Sequence, residues 1–307
     1  MCHDHAVRDA LRLTGFVLLC IIWGSTWLVI KVGYGGLGPF NVAGVRFAIA
    51  AAVLAIVVPL VGARWPRGKA EWTLVVFVGV LLFLGDYGLI YWAEQYIDSG
   101  LTAILFGTFP LLTMVFAHVY VPGEHLTRRK LAGGIAASLG VAALFGDRVH
   151  IDASHAGPMA AIIGAAACAA AANVATKRHG GAIHSAALNA STMLIGAVLL
   201  LAASSLAGDG VKLPPDAASW AAVTYLSLIG SVVAFLIYFS LLKSWTATTV
   251  SFFGVFTPAI ALLLGAAILH ERLTVWSLVG SVLILAGVSA ALTTSRQRHY
   301  LRGTIST

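Results

Sequence analysis

Charge is what this chain has least of. Of 307 residues, 19 are Lys or Arg and 12 are Asp or Glu. Charged residues thus make up 10%, against roughly 25% in a soluble domain. Such a chain cannot cover a globule with polar side chains, so a water-soluble monomer is excluded. Disorder is excluded too, because disordered segments are charge-rich and apolar-poor. Cysteine is also scarce. Cys2, Cys20 and Cys168 are too few and too scattered for a disulfide framework or a zinc cage, and no metal is expected. There is no P-loop, no His-Glu-x-x-His and no Gly-x-Ser-x-Gly elbow, which argues against ATP-driven transport by this chain alone. The segment Gly33-Tyr34-Gly35-Gly36-Leu37-Gly38 fits a dinucleotide fingerprint, but it follows an apolar helix and no βαβ unit is available. No cofactor is expected.

What abounds is apolar: 59% of residues are hydrophobic and the mean hydropathy is +0.92. A bilayer core about 30 Å thick takes about 20 apolar residues per helix. Ten stretches qualify: 13–33, 39–60, 71–93, 99–121, 129–146, 156–176, 185–206, 217–242, 246–269 and 275–294. They are continuously apolar, not alternating, so helices are expected and not a barrel. The first lacks a small-residue cleavage site behind a short apolar core and reads as a retained helix.

Lys and Arg set the orientation. With the N-terminus inside, Arg8, Arg12, Arg64, Arg67, Lys69, Arg128, Arg129, Lys130, Lys177, Arg178, Lys243, Arg296, Arg298 and Arg302 fall on the cytoplasmic side. Only Lys31, Arg148, Lys212 and Arg272 fall outside. Both termini are therefore expected in the cytoplasm. The net charge of +7 is a topology signal, dispersed over loops and tails, and no nucleic-acid partner is expected.

The chain repeats itself at an offset of 147. Ser99–Leu144 and Thr246–Ala291 align without gaps, and twelve of 46 positions are identical. Thr102, Phe106 and Phe109 stand at i, i+4 and i+7, one helical face, and Thr249, Phe253 and Phe256 repeat it. Tyr91 and Tyr238 extend the match one helix upstream. Five helices per copy is an odd number, so the copies enter the membrane with opposite polarity. The expectation is an all-α membrane protein of ten transmembrane helices in two inverted repeats, residues 1–147 and 148–307. Inverted repeats are typical of alternating-access transporters, with the substrate near the midplane between the copies.

The residues also carry a resemblance. Trp23-Gly24-Ser25-Thr26-Trp27, Arg46-Phe47, Tyr91-Trp92-Ala93-Glu94-Gln95-Tyr96, Ser99-Gly100-Leu101, Glu124-His125-Leu126-Thr127 and Glu271-Arg272-Leu273-Thr274 together make the chain resemble EamA-type members of the drug/metabolite transporter superfamily. The resemblance spans about residues 13–294. It implies a ten-helix carrier of the bacterial inner membrane, usually an exporter of amino acids, metabolites or drugs. Asp86 departs from it, since similar sequences often carry a neutral polar residue there.

Arg46 and Asp86 are the two charges well inside spans. Each lies seven residues from an outer helix end, so they share a depth and are expected to pair and line the outer half of a cavity. A buried pair fixing helices 2 and 3 is the structural alternative. Protons are the candidate coupling ion. A carboxylate paired with Arg stays ionised, which would make Glu94 the better carrier, although Glu94 also reads as a wet interfacial carboxylate. Trp23, Thr26, Trp27 and Ile30 form a stripe on helix 1 that, with Ser25, suits an amphipathic solute. Phe106, Phe109, Phe253 and Phe256 are expected as an aromatic lining or as core. Pro110 and Pro258 are expected to kink helices 4 and 9 as hinges. The small residues Gly133, Gly134, Ala137, Gly140, Gly280 and Gly287 suit close packing or a homodimer face. The functional expectation is a secondary transporter of small amphipathic metabolites, amino acids or drugs. An importer or exchanger of the same fold, a scaffold, and an intramembrane enzyme using Asp86, Glu94 or His118 are the alternatives. The spans are too poor in converging titratable groups for the enzyme.

Overall fold

The computed structural model describes residues 2–33, 35–145, 153–269 and 274–303. Among these residues the chain is helical, with no strand. The reason is the solvent: hydrocarbon offers backbone amides no partner, so each segment satisfies its own. The helices are α1 (Cys2–Gly33), α2 (Pro39–Leu60), α3 (Gly68–Ala93), α4 (Ser99–Phe106 and Phe109–Tyr120) and α5 (Arg128–Leu144). The second half repeats the series as α6 (Ala156–His179), α7 (Ser185–Leu206), α8 (Ala217–Ser244), α9 (Ala247–Ser251 and Phe253–Leu269) and α10 (Val275–Gly303). Nine candidate spans among the described residues are long and apolar enough to cross a membrane. α5, at 17 residues, is shorter than those nine. It still reaches about 26 Å at 1.5 Å per residue, close to the hydrocarbon thickness.

Helix ends are set locally. Pro39 starts α2 behind an extended Gly38, where a missing N–H costs nothing. Thr127 caps α5 by accepting from Lys130 N, and Asp216 caps α8 by accepting from Ser219 N.

The two halves interlock as the 147-residue offset requires. α2 packs along α7, and α5 along α10, each helix on its own counterpart. α1 packs on α9, and α6 on α4, which is the same contact exchanged between halves. The α5–α10 seam runs through glycine. Gly133 meets Gly287 and Ala291, while Gly140 meets Gly280 and Ile284, so the two helices are antiparallel and in close backbone contact. A Cβ on Gly140 would lie 2.8 Å from both the Gly280 carbonyl oxygen and the Ile284 nitrogen. Of the two roles expected of these small residues, bracing within the chain is the one they fill.

Glu124, in the loop between α4 and α5, is 6% exposed. Its Oε1 accepts from Ala247 N (2.7 Å), and its Oε2 from Thr248 N (3.2 Å) and Thr248 Oγ1 (3.1 Å). A carboxylate of the first half therefore caps the first turn of α9 in the second, where charge and helix dipole are complementary. The matching residues Glu271, Arg272 and Leu273 lie outside the described residues.

Packing this tight yields a sharp comparison. Gly140→Ala should lower the apparent melting temperature in detergent, at about 1–3 kcal/mol, the usual cost of overpacking. Gly157→Ala, with nothing within 4 Å of the added methyl, should leave it unchanged. Glu124→Ala removes three charge-assisted bonds and should cost about 2 kcal/mol in the same melt. Equal melting of all three variants and the wild type would contradict this packing.

Candidate functional site

Arg46 lies in the second turn of α2 and is 0% exposed. Its Nε donates to Ser231 Oγ (2.9 Å), Nη1 to Tyr91 Oη (3.1 Å) and Nη2 to the Gly230 carbonyl (3.3 Å). The guanidinium carbon is 5.0 Å from the Phe47 ring centre and 5.2 Å from that of Tyr87. Hydroxyls, a carbonyl and two aromatic faces thus stand in for the water lost on burial. The acceptors on α8 come from a widened π-helical segment, Leu228–Val233. Ser231 Oγ donates in turn to the Leu226 carbonyl, five residues back (2.9 Å). The Gly230 carbonyl also accepts from Trp23 Nε1 (3.1 Å), so α1, α2 and α8 meet on one peptide. A Cβ on Gly230 would lie 3.3 Å from Arg46 Nη2 and 3.0 Å from Thr26 Cγ2, so both side chains would have to give by a few tenths of an ångström. The corresponding stretch of α3, Gly79–Gly88, is also π-helical, and it carries Asp86. Such segments re-aim side chains and are frequent at functional sites.

The expected Arg46–Asp86 ion pair does not form. Ion pairs within 4.0 Å among the described residues are Arg12–Asp9 and Arg64–Glu71. Equal depth placed Arg46 and Asp86 in one layer, but depth does not fix the direction of either side chain. Arg46 turns toward α8, whereas Asp86 turns toward a central cavity. Asp86 is 4% exposed, and its Oδ1 is buried without a hydrogen-bond partner among the described residues.

The cavity lies where the halves meet. It offers about 70 Å³, room for a few waters. Trp23, Asp86, Tyr91, Phe106 and Phe109 line it from the first half, and Phe235, Tyr238 and Phe253 from the second. Thr26 and Thr257 add hydroxyls. The rings form a continuous wall: Trp23–Phe253 centres are 4.4 Å apart, Trp23–Phe235 5.2 Å, Trp23–Tyr238 5.4 Å and Phe109–Phe253 5.3 Å. Arg46 is behind this wall, bonded to Tyr91 and in contact with Tyr87, and is not among the lining residues.

Other candidates fall elsewhere. Ser25 faces α8, with its hydroxyl 2.6 Å from Tyr225 Oη. The Trp27 side chain lies outside the described residues. Glu94 is half-buried just past the end of α3 and does not line the cavity. Thr102 is buried apart from it, and Thr249 is spent on the cap of α9, its hydroxyl 2.7 Å from that of Thr246. Phe256 packs on Phe16 (5.9 Å), in a second apolar cluster. Pro110 does not kink a continuous helix. α4 is already broken at Gly107-Thr108, and Pro110 stands in the first turn of the second piece. Pro258 does lie inside a helix. Residues not expected at the site are Tyr87, Phe235, Gly230 and Ser231. Gly230 and Ser231 correspond to Phe83 and Leu84 in the first half, so the repeat carries no signal for them.

The EamA-like transporter family model matches the chain twice, over residues 12–146 and 157–293, and the chain belongs to that family. The "Uncharacterized transporter YoaV" of Bacillus subtilis (strain 168) is 28% identical over 285 residues, covering 90% of this chain and 94% of that protein. The "Probable amino-acid metabolite efflux pump" of Salmonella typhimurium (strain LT2) is 27% identical over 296 residues, covering 90% and 94%. A protein crystal structure superposes with a TM-score of 0.81 at 19% identity, over 94% of this chain and 98% of that one, which shows the fold. The chain is thus a multi-pass membrane protein of a transporter family.

The division of labour between Arg46 and Asp86 is measurable. Arg46→Ala should lower stability by about 3 kcal/mol, through lost bonds and a cavity. Asp86→Asn gives up no bond at Oδ1 and should melt at or above the wild-type temperature. If Asp86→Asn were the more damaging change, the assignment would fail.

Proposed function

We propose that this protein is a secondary active transporter that exports small amphipathic metabolites, amino acids or drugs across a bacterial inner membrane by alternating access, with both termini cytoplasmic. The observation that carries this reading is the cavity at the junction of the halves, aromatic on both sides, with one buried carboxylate oxygen lacking a partner. That combination suits a solute with an apolar body and a donor or cationic group. The relatives' printed names support transport, and the efflux pump supports the outward direction.

The cavity is well below the roughly 300–1,000 Å³ of small-molecule sites, so loading a metabolite requires the halves to separate. The break in α4 beside Pro110, the break in α9 at Phe252, and Pro258 within the second piece of α9 are where this reading puts the bending. The units that move are the repeats, divided near 147/148. With Arg46 turned away, the ground for preferring Glu94 as proton carrier is gone, and Asp86 is the coupling carboxylate of this reading.

The test uses purified protein in liposomes and a solute chosen by thermal shift from amino acids, nucleosides, sugars and cationic drugs. Saturable counterflow is expected, and its absence across all four classes would contradict transport. Asp86→Asn should cut pH-gradient-driven transport at least about tenfold while leaving solute exchange measurable, because exchange needs no net proton movement. Glu94→Gln should keep both. The opposite pattern would move coupling to Glu94.

A further inference from the structure

Away from the central cavity, α3 borders one apolar groove and, beside it, presents an exposed apolar face. The groove, about 930 Å³, lies between α3, α4 and α6, and its walls include Leu74, Phe116 and Val174. The other space, about 560 Å³, is bordered by α3 alone and lies over its exposed apolar face at Trp72, Val76 and Val80. Both share Lys69, Thr73 and Phe77, which stand at i, i+4 and i+8 and form one ridge between them. Phe77 is 46% exposed.

Charge gathers at one end of this system. Lys69, Arg178 and His179 border the groove where α3 begins and α6 ends. Arg178 Nη1 donates to the Tyr120 carbonyl (2.7 Å), which fixes the guanidinium at the mouth. The acid at this end, Glu71, is already neutralised by Arg64 (2.6 and 2.8 Å) and accepts from Arg67 N (2.7 Å). The mouth is therefore net cationic. The span of α3 begins at Gly68, so Lys69 sits at the water boundary. From Lys69 to Phe77 the helix rises about 12 Å, most of one leaflet's hydrocarbon.

One cationic head position above an apolar groove and an adjoining apolar helix face matches one kind of molecule. We propose that α3 carries a binding site for a two-chain anionic phospholipid. The phosphate rests on Lys69 and Arg178, with one acyl chain in the groove between α3, α4 and α6 and the other along the exposed face of α3, astride the Thr73–Phe77 ridge. The lipid occupies the leaflet in which α3 begins, and this assignment stands whether or not the protein moves a solute. Basic pockets between membrane helices are known lipid sites, and each cation near the membrane surface contributes measurably to anionic lipid attraction.

The experiment titrates delipidated protein in detergent with phosphatidylglycerol and with phosphatidylcholine of the same chains, and reads bound lipid by native mass spectrometry. Phosphatidylglycerol should be retained in preference to phosphatidylcholine. The double substitution Lys69→Gln with Arg178→Gln should weaken phosphatidylglycerol roughly thirtyfold. Thr73→Trp, which fills the shared ridge without touching charge, should reduce the retention of both lipids. Arg12→Gln, a charge change elsewhere, should alter neither. Equal retention of the two lipids by the wild type would overturn the proposal without any variant being needed. Unchanged phosphatidylglycerol binding in folded Lys69→Gln/Arg178→Gln protein would overturn it as well.

Discussion

A guanidinium buried in the middle of the bundle, with no carboxylate of the described residues within ion-pair distance, constrains everything around it. A bare charge in this medium is costly, and Arg46 survives there because three neutral acceptors and two ring faces are held against it. Holding them engages the π turns of α8 and the approach of α1 through Trp23. The same demand ties Tyr91 of the first half to Gly230 and Ser231 of the second across one side chain. Arg46 is thus the pin on which the two halves register.

That pin leaves Asp86 free for other work. A salt bridge would have spent both charges on each other and closed the site. Instead the cation is spent on architecture, and a carboxylate oxygen remains in an aromatic cavity. Glu124 makes a parallel use of charge at the bundle's end, where it caps α9 with backbone bonds across the halves. The α5–α10 glycine seam provides the stiff counterpart, packing backbone on backbone where no side chain can yield.

The sequence carried the architecture because lipid leaves few choices. A continuous apolar run of about 20 residues must be a helix, and an odd number of helices per repeat inverts the second copy. Thr102, Phe106 and Phe109 stand on one face by spacing, yet only the two rings reach the cavity, because spacing fixes a face and not what lies opposite it. Arg46 and Asp86 were legible as a matched pair by depth, but their rotation about the helix axes was not. The π turns of Gly79–Gly88 shift that angle for Asp86, those of Leu228–Val233 shift the acceptors that Arg46 meets, and nothing in either apolar run announces them. Phe235 and Tyr87 escaped for a related reason, since a ring among many rings gives no periodic signal of its own. The break in α4 at Gly107-Thr108 was hidden behind the more conspicuous Pro110.

The central claim is that one cavity between the halves is reached from each side of the membrane in turn. Thr257 lines that cavity, and Thr257→Cys in a chain with Cys2, Cys20 and Cys168 replaced by Ser is close in size to the original. The measurement is labelling of that thiol by an impermeant maleimide in right-side-out and in inside-out vesicles. The account predicts labelling from both faces, slowed by bound solute. Labelling confined to one face, or absent from both, would contradict it.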